Sequence, residues 1–202
     1  MQKKTLKPIP FSPVLLASSS SFRQLLLAKI TSEFDSISPD IDETPHQHES
    51  PENLALRLAA QKAHSVCHNH PGHWIIGSDQ VAMCGTIRLE KPGNEQNAIQ
   101  QLLNASGNRV SFYTAVSLLN PGGKYPRTEL DICHVYFKTL QRRQIERYIE
   151  LEKPLNCAGS FMSEGLGISL VDRIEGNDPN ALVGLPLILL VKLMEEFGVG
   201  VF

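Results

Sequence analysis

Short apolar runs alternate along this chain with longer segments whose apolar positions recur every three or four residues. The first kind reads as buried strands and the second as helices packed on one side. Val14–Ala17 is a short apolar strand, broken by Ser18–Ser21. Phe22–Lys29 then reads as a helix with serine N-cap candidates. Phe34–Ser38 is a second short strand, and Pro39 and Pro45 bracket an acidic turn. Ser50-Pro51 opens a long helix with a capping serine and proline in the first turn; Leu54, Leu58 and Ala59 mark its apolar face. Trp74–Val81 is an apolar run interrupted by Gly77 and Asp79. Gly85 marks a turn before Lys91-Pro92, and Asn94–Ala105 is a helix stopped by Ser106-Gly107-Asn108. Val110–Leu119 is a long strand, which Pro121-Gly122-Gly123 turns back into an antiparallel partner, Glu129–Phe137. A helix carrying Glu146 and Tyr148 ends near Pro154, and a strand runs through Ile174. Gly176–Asn180 is a turn-rich loop, and Pro186–Phe197 is a terminal helix stopped by Gly198.

Interleaved helices and strands with at least one hairpin predict an α/β fold, with a mixed twisted sheet flanked by helices. A chain of 202 residues suits one domain, with room for a second small lobe and a cleft. Residues 1–12 read as a loose tail and 13–202 as a single domain. There is no internal repeat.

Charge and composition narrow the partners. The formal net charge of −2 leaves no global basic field for DNA or an anionic membrane. No stretch is apolar enough to span a bilayer, and Met1–Lys7 lack the apolar core of a signal peptide. Cys67, Cys84, Cys133 and Cys157 form no C-x-x-C pair, so reduced, packed thiols in a cytoplasmic protein are expected. His64, His68, His70 and His73 resemble a zinc set at first glance. They straddle a Pro71-Gly72 turn without a matching carboxylate or thiolate pattern, which argues against one.

Asp79 is the strongest candidate for chemistry. A carboxylate on a core strand needs a cation, a donor or a metal beside it. Gly77 just before it permits close approach of backbone or ligand. Lys91 follows on the next segment, so an acid and a lysine face a place suited to phosphate. A structural ion pair explains the same residues equally well. The strand, serine turn and helix start at 14–23 form a geometry that binds phosphate, although a well-capped helix is the plainer explanation. Lys62 lies on a helix, where a lysine is ordinarily a solvated surface group.

Taken together, eight blocks resemble the Maf family of nucleoside triphosphate pyrophosphatases. They are Ala17–Arg23, Asp42-Glu43, Arg57–Ala63, Gly77–Gln80, Lys91-Pro92, Ser106-Gly107, Ala158–Ser160 and Val183–Pro186, in that order. The resemblance runs from Leu15 to about Leu193. Two positions depart from the family's habit: Ser21 stands where proline is common, and Gln24 where a second arginine is common.

The resemblance implies a Maf/ITPase-like fold and hydrolysis between the α- and β-phosphates of a nucleoside triphosphate. It implies Asp79 as general base or holder of a metal-bound water, and Glu43 and Asp79 as ligands of Mg²⁺ or Mn²⁺. It further implies Ser18, Arg23, Lys62 and Lys91 as phosphate-binding groups that converge at the edge of the sheet. At three specificity positions the chain has Phe22, Gln80 and Glu164, as in the branch acting on 7-methyl-GTP; the dTTP and UTP branch typically carries Arg, Thr and Gln. Physical chemistry agrees: an aromatic face attracts the cationic 7-methylguanine ring, and a carboxylate accepts from its donor edge. A dTTP/UTP or broad-specificity pyrophosphatase is the alternative enzyme. A nucleotide-binding regulator with little turnover is the alternative of another class. A cytoplasmic homodimer, without membrane or nucleic-acid polymer as partner, is the family-level expectation.

Overall fold

A computed structural model describes residues 11–200. Of the expected tail, residues 1–10 lie outside the described residues, while the Phe11 ring lies 5.8 Å from that of Trp74.

The fold is the expected mixed α/β architecture; among the described residues seven strands form one sheet, ordered β2-β1-β3-β5-β6-β7, with β4 pairing with β3 off this path. The strands are β1 (Val14–Ala17), β2 (Asp35–Ile37), β3 (Trp74–Cys84), β4 (Ile87–Leu89), β5 (Arg109–Leu119), β6 (Arg127–Phe137) and β7 (Val171–Glu175). The helices are α1 (Ser21–Leu27), α2 (Pro51–Ser65), α3 (Glu95–Ala105), α4 (Arg142–Glu152) and α5 (Leu187–Glu196). β1 runs parallel to β2 and β3, and all other pairings are antiparallel.

Several elements differ by a few residues in extent from the sequence pattern, two of them for a reason visible in their hydrogen bonds. β3 runs on past Val81 to Cys84, because Ala82–Cys84 pair with β4 as well as β5. α1 ends at Leu27 rather than Lys29, where the Lys29 and Ile30 amides bond three residues back and tighten the last turn.

Alternation along the strands separates two faces. On one, Leu15, Ala17, Ile75, Val81 and Ala115 are buried under α2 residues such as Leu58, Ala59 and Ala63. The other face carries two separate clusters. Leu16, Ile76 and Val116 pack with α1 and α5, and Ala82, Phe112 and Cys133 pack with α3 and α4. Between the clusters lies a polar row in register, half-buried Gln80 followed by buried Thr114 and Asp131. No helix among the described residues is long and apolar enough to cross a membrane.

One gap in the sheet positions the site. β1 pairs with β3 through Ala17–Gly77, and β4 joins the same side of β3 only at Ala82–Leu89. Beyond Ala17 the chain turns away as the serine run into α1. A cleft opens along the intervening stretch of β3, with Asp79 in its floor.

Candidate active site

Gly77 decides where the charges meet. A Cβ there would collide with the Ala59 carbonyl oxygen and crowd the Ala63 nitrogen of α2. Without it, the helix lies directly on β3, so Gly77's close approach is to backbone. That docking carries Lys62, the next α2 position after Gln61, over Asp79. Lys62 is therefore buried, only 6% exposed, and is not the surface lysine its helix suggested. Its Nζ lies 2.6 Å from Asp79 Oδ1 and 2.7 Å from Glu43 Oε1. Asp79 itself is 7% exposed.

The cleft holds about 900 Å³ and brings together Ser18, Phe22, Arg23, Glu43, Lys62, Asp79, Gln80, Lys91 and Glu164. All nine residues singled out from the sequence line it. The cations converge at the internal gap between β1 and β4 rather than at an outer edge of the sheet, because β1 and β3 are interior strands.

Electrostatics bind the group together. Burial opposes ionisation of Glu43, but the Lys62 hydrogen bond and the charges of Lys62, Lys91 and Arg23 outweigh it and hold the carboxyl below its ordinary value. Burial lowers the Arg23 guanidinium, while Asp79 and Glu43 oppose that shift. Arg23 Nε donates to the Gly184 carbonyl at 2.8 Å, and Nη1 to Ser18 Oγ at 3.4 Å. Ser18 Oγ also accepts the Ser20 amide at 3.1 Å, so the serine turn is folded back on itself. Lys91, by contrast, is exposed at the rim.

Two residues named in the sequence only by their motif have roles that the structure supplies. Gly184 has φ of +124°, a conformation that favours glycine, and its carbonyl holds Arg23 and lies 2.9 Å from Ser78 Oγ. The sequence signal was present in the Val183–Pro186 block, but not its meaning. Gln24, standing where the family often has arginine, donates to Ser36 Oγ at 3.1 Å and ties α1 to β2.

At the far end the cleft joins a second, more apolar cavity of about 760 Å³. Phe22, Glu164, Leu182 and Val183 line both, and Leu25, Ile168 and Ile174 line only the second. Phe22 and Glu164 thus stand at the junction. Gln80 does not offer its amide nitrogen there: Nε2 lies 3.0 Å from the Ala181 carbonyl, 3.1 Å from that of Leu182 and 3.0 Å from Thr114 Oγ1. It anchors the segment that forms the junction's wall.

Glu43 and Asp79 are hard oxygen donors facing one cleft, but among the described residues no three or more His, Cys, Asp or Glu side chains are grouped to hold a metal. Two carboxylates suit an ion that takes its remaining oxygens from water and phosphate. The histidines pair by ring edges, His64 with His68 at 6.2 Å and His70 with His73 at 5.1 Å. All four cysteines are free.

The family model described as Maf-like protein matches residues 13–197. The chain belongs to the Maf family. It is 54% identical over 186 residues to a 7-methyl-GTP pyrophosphatase of Alcanivorax borkumensis, covering 92% of this chain and 94% of that one. It is 48% identical over 190 residues to a 7-methyl-GTP pyrophosphatase of Aliivibrio fischeri, covering 94% and 98%. Among solved structures, the Ham1 protein of Staphylococcus aureus aligns with a TM-score of 0.45 at 16% identity, over 62% of this chain and 72% of that one. A nucleoside-triphosphatase, dITP/XTP pyrophosphatase, of Mycobacterium abscessus aligns at 0.37 and 17% identity, over 63% and 74%.

Proposed function

We propose that this Maf protein is a nucleoside triphosphate pyrophosphatase that hydrolyses 7-methyl-GTP to 7-methyl-GMP and pyrophosphate. The observation that carries the reading is the buried Lys62, held between Asp79 and Glu43 in a cleft shared with Arg23 and Lys91. Names of relatives at about half identity agree with it.

The triphosphate lies at the charged end. Arg23, Lys62 and Lys91 neutralise its oxygens, with Ser18 beside them. Asp79 takes the proton of the attacking water. The water oxygen bonds to the α-phosphorus, the bridging oxygen bond breaks, and pyrophosphate leaves. A divalent ion, Mg²⁺ or Mn²⁺, would be held by Glu43 and Asp79 and would supply charge neutralisation and a more acidic water. The base reaches the junction, where Phe22 covers its cationic ring and Glu164 accepts from its donor edge. Gln80 serves specificity through the wall it anchors. A homodimer working in the cytoplasm completes the proposal.

Pyrophosphate release tests it, measured with 7-methyl-GTP, GTP, dTTP and UTP, with and without Mg²⁺ or Mn²⁺. The expected result is metal-stimulated release with kcat/KM highest for 7-methyl-GTP. A higher value for UTP or dTTP moves the substrate assignment to the pyrimidine branch. Stoichiometric nucleotide binding without release makes the chain a regulator.

A further inference from the structure

Glu43 reaches Lys62 from a segment that contains no strand or helix. Residues 38–50 connect β2 to α2, and the Glu43 side chain is 59% exposed. Something else must fix it. Arg57 on α2 does so by geometry. Its Nε lies 2.7 Å from Glu49 Oε1 and its Nη2 2.8 Å from Glu49 Oε2, a bidentate pair. Nη2 also donates to the Thr44 carbonyl at 3.0 Å, and Nη1 to Gln61 Oε1 at 2.9 Å. Glu49 Oε2 accepts the His46 amide at 3.0 Å, and Asp42 Oδ1 accepts the Thr44 amide at 2.9 Å. Glu43 thus sits inside the closed Asp42–Thr44 turn, with the carbonyl of the next residue, Thr44, clamped by Arg57. The pair is well shielded, with Arg57 and Glu49 side chains 17% and 8% exposed.

We propose that Arg57, through Glu49 and the Thr44 carbonyl, is a positioning residue that presents Glu43 to Lys62 and the cleft. Its use in catalysis rests on the pyrophosphatase reading. The clamp needs a planar fork, since one ammonium cannot satisfy both Glu49 oxygens and the Thr44 carbonyl in this geometry. The Arg57 hydrogen bond, helped by the His46 amide, pushes Glu49 down to about 2, so the clamp stays charged throughout the neutral range. Around Glu43 stand Lys62 from α2, Lys91 after β4 and Arg23 from α1.

Two measurements separate positioning from a merely structural role. The first is a double-mutant cycle on kcat/KM for 7-methyl-GTP, with Arg57→Ala, Glu43→Gln and both together. Arg57→Ala is expected to lose on the order of 10²-fold, the scale of a misplaced group. Most of that loss is expected to vanish in the Glu43→Gln background, and Arg57→Lys is expected to restore only part. The second is the Glu43 carboxyl titration followed by NMR in Arg57→Lys, which needs no turnover. Release from Lys62 raises the Glu43 pKa toward the ordinary range. An unmoved Glu43 titration, an equal loss in both backgrounds or full rescue by lysine overturns the proposal. Should Arg57→Ala fail to fold, Glu49→Gln, which keeps the shape, runs the same cycle. A wild-type protein that releases no pyrophosphate sinks the catalytic reading, while the NMR titration still decides the placement of Glu43.

Discussion

At the charged end of the cleft, Asp79 stands in an 11-residue strand and Lys62 on a 15-residue helix that Gly77 lets dock against it. Even Glu43, on an irregular segment, is followed by a residue, Thr44, whose amide and carbonyl are both tied. At the apolar end, the walls are α1 side chains, Cys133 of β6, Ile174 of the edge strand β7, and the short turns and loops that flank β7 between Ser163 and Val183. Leu25 there is 69% exposed and Ile168 53%. The difference follows from the forces involved. A buried charge that loses its partner by a small shift is costly, so charges need rigid supports. Apolar contact is non-directional and tolerates displacement, so loops and an edge strand suffice to complete it.

The comparison breaks most readily at Asp79. Asp79→Asn keeps the shape and removes the proposed base, so pyrophosphate release is expected to fall roughly 10²-fold or more. Near-normal release from a folded variant would reduce the pair with Lys62 to a structural one.

Lys62→Met probes rigidity directly. It strips the shared cation from two carboxylates and is expected to destabilise by about 3 kcal/mol, the low end for a broken buried pair because Arg23 also faces Asp79. The corresponding fall in Tm is roughly 10 °C. An unchanged Tm would show that Lys62 carries no structural weight at the charged end.

At the other end, effects fall on substrate choice instead of stability. Phe22→Ala is expected to cost about 0.5–2 kcal/mol in binding the cationic base. Glu164→Gln presents a donor to a donor edge and is expected to lower the kcat/KM ratio of 7-methyl-GTP over UTP further than Phe22→Ala does. Neither is expected to move Tm appreciably. An unmoved ratio would detach the junction from base recognition.

The smallest effect concerns acid stability. Glu49 is held at about 2 by the Arg57 hydrogen bond, below its ordinary value of 4.5. A carboxyl depressed on folding adds stability above its unfolded pKa and loses it as pH falls through its folded one. The wild-type advantage over Glu49→Gln is expected in full above about 4.5 and to shrink between there and about 2. Unfolding midpoints across that range check it, and parallel curves would mean that Glu49 is not ion-paired in solution.

The order and type of the elements were legible because hydrophobic periodicity and turn chemistry are local properties. Asp79 stood out because a carboxylate interrupts an apolar run. The family blocks gathered eight of the nine candidate residues that now line one cleft, and the comparison of specificity positions added Glu164. Other features had no local signal. Gln80 looked like a base-reading group, yet its amide nitrogen is spent on two carbonyls about a hundred positions away. Arg57 opened a family block, yet nothing along its helix showed that it clamps Glu49 and the Thr44 carbonyl.

By itself, then, the amino-acid sequence determined the strands and helices, the family and the set of polar residues available for chemistry. Only the tertiary structure decided that Lys62 is buried, 17 positions from the carboxylate it pairs with, because that depends on α2 docking where Gly77 lacks a side chain. Only the tertiary structure placed the cleft at the gap between β1 and β4, because two ladders on one side of β3 must both stop for it to open. Periodicity reports the environment of a residue along its own element. Which partner fills that environment is a property of distant chain segments brought together by packing.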